Sequence, residues 1–72
     1  MLYDDCMIVN VNGNPVQAED GCTVEQLLQA HRDGSGPCAV EVNRTLVRKQ
    51  DHPGFTLSEG DRVEIVTLVG GG

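Results

Sequence analysis

Only one segment of this 72-residue chain repeats its apolar residues with the period of a helix, and it limits the possible folds more than any other feature. Thr23 is a good helix N-cap, and Gln26, three residues later, occupies the reciprocal position of a capping box. One apolar stripe follows at helical spacing, formed by Val24, Leu27, Leu28 and, at its end, His31. The glycines and proline of "DGSGP" end the helix. A single amphipathic helix has to bury its stripe against a sheet.

The rest of the chain alternates with a period of two, which predicts β-strands. A first strand starts at Met7 in "MIVNV", the Asn-Gly of "NGNP" makes a tight turn, and Val16 and Ala18 face inward on a short second strand. The later strands are "CAVEV", a short edge segment "LVRK" and the final "RVEIVTLV". This order predicts an α+β protein with one main helix packed on one face of a mixed sheet of four to five strands.

Parallel first and last strands in the centre of that sheet would make the fold a β-grasp, the ubiquitin-like fold. We expect one domain at 7–69, with a loose lead-in at 1–6 and a flexible glycine tail at 70–72. The chain has no basic, apolar leader, which favours the cytoplasm. The three cysteines, Cys6, Cys22 and Cys38, include no CxxC pair, so neither a metal site nor a disulfide framework is predicted.

Charge and side-chain chemistry narrow the function. Eleven acidic residues against five basic ones give a net charge of −6, which argues against binding nucleic acid or an anionic membrane. No catalytic constellation stands out, because Ser35, Ser58, His31 and His52 are each explained by a surface or a turn. Cys22 precedes a helix, which can lower a thiol pKa, although a small buried residue explains it equally well. We therefore expect no catalytic residue and no enzyme.

The glycines at the end of the sequence are the most informative functional feature. Gly70, Gly71 and Gly72 follow the last strand without a polar spacer. Glycine has no side chain and accepts most backbone conformations, so such a segment can thread a narrow channel in another protein. A carboxylate is a poor electrophile, but its adenylate is readily attacked by sulfur or nitrogen. This pattern predicts a carrier or co-substrate whose chemistry takes place at Gly72.

Four blocks carry a family resemblance: "MIVNVNGNPV", "TVEQLL", "AVEVNRTLVRK" and "LSEGDRVEIVTLVGGG". In this order, from Met7 to Gly72, they resemble the thiamine-biosynthesis sulfur carriers, the ThiS family. The resemblance implies that a ThiF-type enzyme adenylates Gly72 using ATP and magnesium, and that the carrier itself binds no cofactor. A cysteine desulfurase or another donor would supply sulfur for a thiocarboxylate, and the thiazole synthase ThiG would accept it.

A docking surface is predicted beside the glycines. Val66 and Leu68 alternate onto the face opposite the helix, where Ile8 on the neighbouring strand would join them in an exposed apolar patch. Glu64 and Asp61 would face a basic rim on the partner.

Two other functions fit the same glycine ending. A molybdopterin-synthase small subunit, MoaD-like, would use the same tail chemistry with a different sulfur acceptor. A ubiquitin-like protein modifier would instead be joined through Gly72 to lysines of other proteins.

Overall fold

The computed structural model describes residues 6–31 and 37–67. Five strands and two helical segments follow one another along the chain. They are β1 (Cys6–Val11), β2 (Asn14–Glu19), α1 (Val24–His31), β3 (Cys38–Val42), β4 (Thr45–Val47), a 3₁₀ helix (Lys49–Gly54) and β5 (Arg62–Thr67). β1 begins at Cys6, the last residue of the predicted lead-in at 1–6. Residues 1–5 of that lead-in and the predicted tail at 70–72 lie outside the described residues.

The five strands form one mixed sheet in the order β2-β1-β5-β3-β4. β1 and β5 are parallel at its centre, and the remaining pairs are antiparallel. With α1 packed on one face, this is the β-grasp fold, which confirms the predicted fold class. The core lies between the helix and the sheet and contains Met7, Val9, Val11, Ala18, Val24, Leu27, Leu28, Val40, Val42, Val47, Leu57 and Val63.

The predicted capping box of α1 is present. The backbone N–H of Gln26 donates to Thr23 Oγ1 at 3.2 Å, and the backbone N–H of Thr23 donates to Gln26 Oε1 at 3.0 Å. Val24, Leu27 and Leu28 are buried, as their spacing predicts. His31 is exposed, so its assignment to the apolar stripe was wrong. His31 is the last residue of α1, and its side chain lies outside the buried stripe.

His52 also differs from its sequence interpretation as a surface or turn residue. Its side chain is only 7% exposed, and Nε2 lies 3.1 Å from the backbone oxygen of Val47. Because a carbonyl oxygen only accepts, Nε2 carries the proton in this hydrogen bond. The 3₁₀ helix places the imidazole under the end of β4, and the hydrogen bond to Val47 links this helix to the edge strand.

Two-residue turns connect both hairpins. The first has Asn12 and Gly13 at its centre, with φ angles of 52° and 87°, and the second has Asn43 and Arg44, at 52° and 70°. Positive φ at both central positions is typical of a type I′ turn, whose twist suits a two-residue hairpin. The first turn confirms the prediction made from "NGNP".

Candidate partner-docking face

The sheet face opposite α1, called here the outer face, displays the side chains predicted for docking. Val63 is buried and Ile65 half-buried toward the helix, whereas Glu64 and Val66 are exposed on the other side of β5. This alternation confirms the predicted orientation of the last strand. Leu68, Gly70, Gly71 and Gly72 lie outside the described residues, so their predicted roles remain predictions.

Three apolar residues of neighbouring strands form what we call the apolar patch: Ala39, Leu46 and Val66. Val66 is 54% exposed and pairs across the ladder with Ala39. Leu46, on edge strand β4, is 61% exposed and pairs with Glu41, which places it diagonally from Ala39 on the same face. Side chains in such diagonal positions lie within reach of one another. Leu46 was missed from the sequence, although its place one residue before an inward-facing valine was a signal for it.

Ile8 shares the outer face and is 44% exposed, but it lies apart from the patch. Its backbone oxygen accepts a hydrogen bond from the N–H of Gly60 at 2.8 Å, so it sits at the start of the β1–β5 pairing. Val66 is six residues beyond Gly60, which is roughly 20 Å along a strand. The prediction that Ile8 and Val66 form one patch was therefore wrong. The offset between the two parallel strands separates them.

The two acidic residues predicted to border the patch lie at different places: Glu64 is next to Val66 on the outer face, whereas Asp61 precedes β5, at the end opposite Val66. Glu64 is exposed and pairs directly with Glu41 of β3, which the sequence analysis had not singled out. Like charges in this position repel, so the pair costs stability unless a cation approaches it. Asp61 is half-buried and accepts hydrogen bonds from Ser58 N at 2.8 Å and from Asn43 Nδ2 at 3.0 Å. Its carboxylate therefore holds the loop before β5, and its predicted docking role remains a prediction.

Cys22 lies just before α1 and is half-buried. Burial raises the pKa of its thiol above the ordinary value, and the negative charge of Glu19 raises it further. The lowered pKa considered for a thiol before a helix is thus wrong, because burial and Glu19 both act to raise the pKa of Cys22. Its Sγ donates a weak hydrogen bond to the backbone oxygen of Thr23 at 3.4 Å. The burial of Cys22 and this hydrogen bond are typical of a structural cysteine.

Within 6–31 and 37–67, no three His, Cys, Asp or Glu side chains are grouped to hold a metal ion. No helix in these ranges has the length and hydropathy to cross a membrane.

The fold and this face define the class of the protein, a small β-grasp protein with an exposed apolar sheet face. The sequence profile of the ThiS family matches residues 7–72, which includes the glycines. The chain belongs to the ThiS family, the sulfur carriers of thiamine biosynthesis that its sequence blocks resemble.

Two known proteins of different length are similar in sequence to this chain. One is a thiazole synthase from Magnetococcus marinus, 36% identical over 66 residues, which are 92% of this chain and 20% of that protein. The chain thus spans about a fifth of the length of that relative. The other is the uncharacterised protein ycf40 of Porphyra purpurea, 31% identical over 64 residues, which cover 89% of this chain and 90% of that protein.

Two solved structures of a thiamine biosynthesis protein from Geobacter metallireducens share the fold. The crystal structure, of a protein called ThiS, superposes with a TM-score of 0.78 at 29% identity and covers 92% of this chain and all of that one. The solution structure gives a TM-score of 0.73 at 30% identity, covering 92% of this chain and 88% of the other.

Proposed function

We propose that this protein carries sulfur for the thiazole ring of thiamine as a thiocarboxylate on Gly72, and acts as a co-substrate of other enzymes. The observation that carries the proposal is the match to the ThiS family through residue 72, which includes all three glycines. A side-chain-free ending is what a carboxylate needs to enter a partner's narrow active site.

The chemistry takes place on the partner enzymes in three steps: adenylation, displacement of AMP by sulfur, and cleavage of a sulfur–sulfur bond. A ThiF-type enzyme, using ATP and magnesium, joins the Gly72 carboxylate to AMP and releases pyrophosphate. A persulfide from a cysteine desulfurase displaces AMP to form an acyl disulfide. A second thiol then cleaves the sulfur–sulfur bond, which leaves the thiocarboxylate on Gly72 and a disulfide on the donor. This chain supplies the carboxylate and the docking surface, and its own side chains perform no catalytic step.

The outer face supports docking to the activating enzyme. Val66 is six residues before Gly72, and a chain of that length reaches at most roughly 20 Å. The active site of a partner that covers the apolar patch must therefore lie within that distance of Val66. Leu46 and Val66 are also exposed apolar side chains of the kind that lie at the centre of protein interfaces, so a partner can bury them there.

Thiazole synthase is the proposed acceptor of the sulfur. The Magnetococcus marinus protein of that name contains a segment similar to nearly all of this chain, so a carrier-like segment and a thiazole synthase occur in one polypeptide there. This favours thiazole synthase over the molybdopterin pathway as the destination.

The test is intact mass spectrometry of the protein after incubation with a ThiF-type enzyme, ATP, magnesium and a persulfide donor. We expect a mass gain equal to exchange of one oxygen for sulfur, located on Gly72 by fragmentation. The control is a variant lacking Gly71 and Gly72, which should stay unmodified. An unchanged mass for the full chain would overturn the proposal.

A ladder of conjugates in cell extract would favour a protein modifier, and sulfur transfer to molybdopterin synthase alone would favour the MoaD-like function.

A further inference from the structure

Arg44 occupies a backbone position that suits glycine. It is the second central residue of the β3–β4 turn, with φ of 70°. The equivalent position of the β1–β2 turn is Gly13, with φ of 87°. A bulky L-residue with positive φ is an outlier that costs stability, and such outliers are found where a side chain has a function. The same chain thus builds the same kind of turn once with glycine and once with arginine.

The turn places Arg44 beside a second arginine on the outer face. Arg44 and Arg62 line a cleft of about 270 Å³, together with Asn10, Gly13, Val63 and Glu64. Hydrogen bonds on both sides hold the backbone there, since Arg62 N donates to Asn43 Oδ1 at 3.0 Å and Asn43 N donates to the Arg62 oxygen at 2.7 Å. The two guanidinium groups are therefore carried by a rigid sheet end, and both residues are exposed.

The two arginines lie in an otherwise acidic setting, since Glu64 lines the same cleft and the Asp61 carboxylate binds the side chain of the adjacent Asn43. The whole sequence has five basic residues against eleven acidic ones, and two of the five line this cleft. Along β5 the outer-face residues change from Arg62 to Glu64 to Val66. Charge and apolar surface are thus sorted along one strand, in the order basic, acidic, apolar.

We propose that the cleft of Arg44 and Arg62 binds an acidic side chain of the ThiF-type activating enzyme, a contact that rests on the function proposed above. Arginine pairs with carboxylates in a bidentate geometry that fixes orientation as well as position. Arg62 is four residues from Val66, roughly 13 Å along the strand. An interface of ordinary size, about 800 Å² on each side, is large enough to include both the apolar patch and the cleft.

A carboxylate presented by a protein fits the cleft better than a free anion does. Glu64 lines the same cleft, and the net charge of −6 repels small multiply charged ions from solution. A partner surface avoids this repulsion, because basic groups next to its acidic side chain can face Glu64 and Glu41. The expected partner surface therefore alternates in sign, with an acid opposite the arginines and a base opposite the glutamates.

The test measures the KM of the activating enzyme for this protein, by ATP–pyrophosphate exchange, with wild type, Arg62→Glu, Arg44→Gly and Lys49→Glu. Lys49→Glu changes the net charge as much as Arg62→Glu does, but Lys49 lies beside α1, in the groove that Glu25 and Leu28 line. We expect about a tenfold higher KM for Arg62→Glu, unchanged kcat and little effect of Lys49→Glu. Arg44→Gly should raise both the KM and the thermal midpoint, a combination that a structural role of Arg44 would not produce.

The possible results separate the two proposals. Absence of exchange with every variant, wild type included, would overturn the proposed function and this contact with it. Normal exchange with equal KM values for wild type and Arg62→Glu would overturn the contact alone. An equally large rise in KM for Lys49→Glu would show that the effect comes from the net charge of the protein and not from a contact at the cleft. In a separate titration with inorganic phosphate, saturable shifts of the Gly13 and Arg62 amide resonances would assign the cleft to a free oxyanion instead.

Discussion

The side-chain oxygen of Asn12 accepts a hydrogen bond from the backbone N–H of Ile65 at 2.8 Å, across a sequence separation of 53 residues. β1 ends at Val11, whereas β5 continues to Thr67, so the backbone of β1 has no group left to pair with Ile65. Asn12 supplies the missing acceptor from its side chain. At the other end of β1, Glu59 Oε1 accepts from Ile8 N at 2.9 Å. Side chains thus extend the central parallel pairing beyond both strand ends.

Asn12 should be one of the costliest polar residues to replace. Its left-handed backbone, with φ of 52°, suits asparagine, and its side chain binds Ile65. We expect Asn12→Ala to lower the free energy of unfolding by about 1 to 2 kcal/mol, because it loses the acceptor and keeps the unfavourable φ. Asn12→Asp keeps an acceptor and should lose less. Urea unfolding checks both, and equal stability of Asn12→Ala and wild type would show that Ile65 N is satisfied in another way.

The capping box gives a second stability prediction. Thr23→Ala removes the acceptor for Gln26 N and should cost about 1 kcal/mol, the usual value for an N-cap. Gln29→Ala is the matched control, since Gln29 is exposed in the same helix and alanine is a good helix former. Thermal unfolding should therefore show a lower midpoint for Thr23→Ala and a similar or higher one for Gln29→Ala. A midpoint for Thr23→Ala at or above that of the control would contradict the prediction.

Local sequence signals predicted the elements of this fold well. The capping box and the Asn-Gly turn involve residues close in sequence, so their chemistry can be read from a few letters. The period of two also assigned Val63 and Val66 to opposite faces correctly. Such patterns do not show how far one strand is shifted along its neighbour in the sheet. The separation of Ile8 from Val66 depends on that offset, which alternation within either strand leaves open.

Residues at short or irregular elements were harder to predict for a similar reason. Leu46 lies in a strand of three residues, too short for a periodic pattern to show its face. His52 lies in "DHPG", which reads as a turn but forms part of a 3₁₀ helix that buries the ring. Arg44 stands where a turn of this type favours glycine, and only the backbone angles of the structure reveal it.

The raised pKa of Cys22 leads to a prediction about reactivity. Only the thiolate is strongly nucleophilic, so a half-buried thiol that keeps its proton should react slowly with iodoacetamide near neutral pH. Cys6 is exposed and should be alkylated first. Peptide mapping after brief labelling measures both rates in one sample. Faster labelling of Cys22 than of Cys6 in the folded protein would contradict the prediction.

The same shift gives a pH dependence of stability with a definite sign. The folded state holds the Cys22 proton more tightly than the unfolded state does, so folding is favoured while both states are protonated. As the pH rises above the ordinary thiol pKa of about 8.5, the unfolded state loses its proton first and stability falls. Cys22→Ala should therefore show a smaller loss of stability than wild type over this alkaline range. Parallel urea titrations at neutral and alkaline pH provide the comparison, and identical pH slopes for the two proteins would contradict it.

The apolar patch gives the prediction that bears most directly on function. Leu46→Asp and Val66→Asp each place a charge where the activating enzyme is proposed to pack, and each should weaken binding by tenfold or more, on the order of a central interface residue. Gln29→Glu is the matched control, because it adds one negative charge at an exposed position of α1, on the other side of the sheet. All three side chains face solvent, so the thermal midpoints should fall only slightly, and most for Leu46→Asp, because Glu41 lies directly opposite it. Calorimetric titration against the ThiF-type enzyme measures the affinities. A loss for Gln29→Glu as large as that for Val66→Asp would show an effect of net charge alone, and unchanged affinity for both patch variants would remove the apolar patch from the interface.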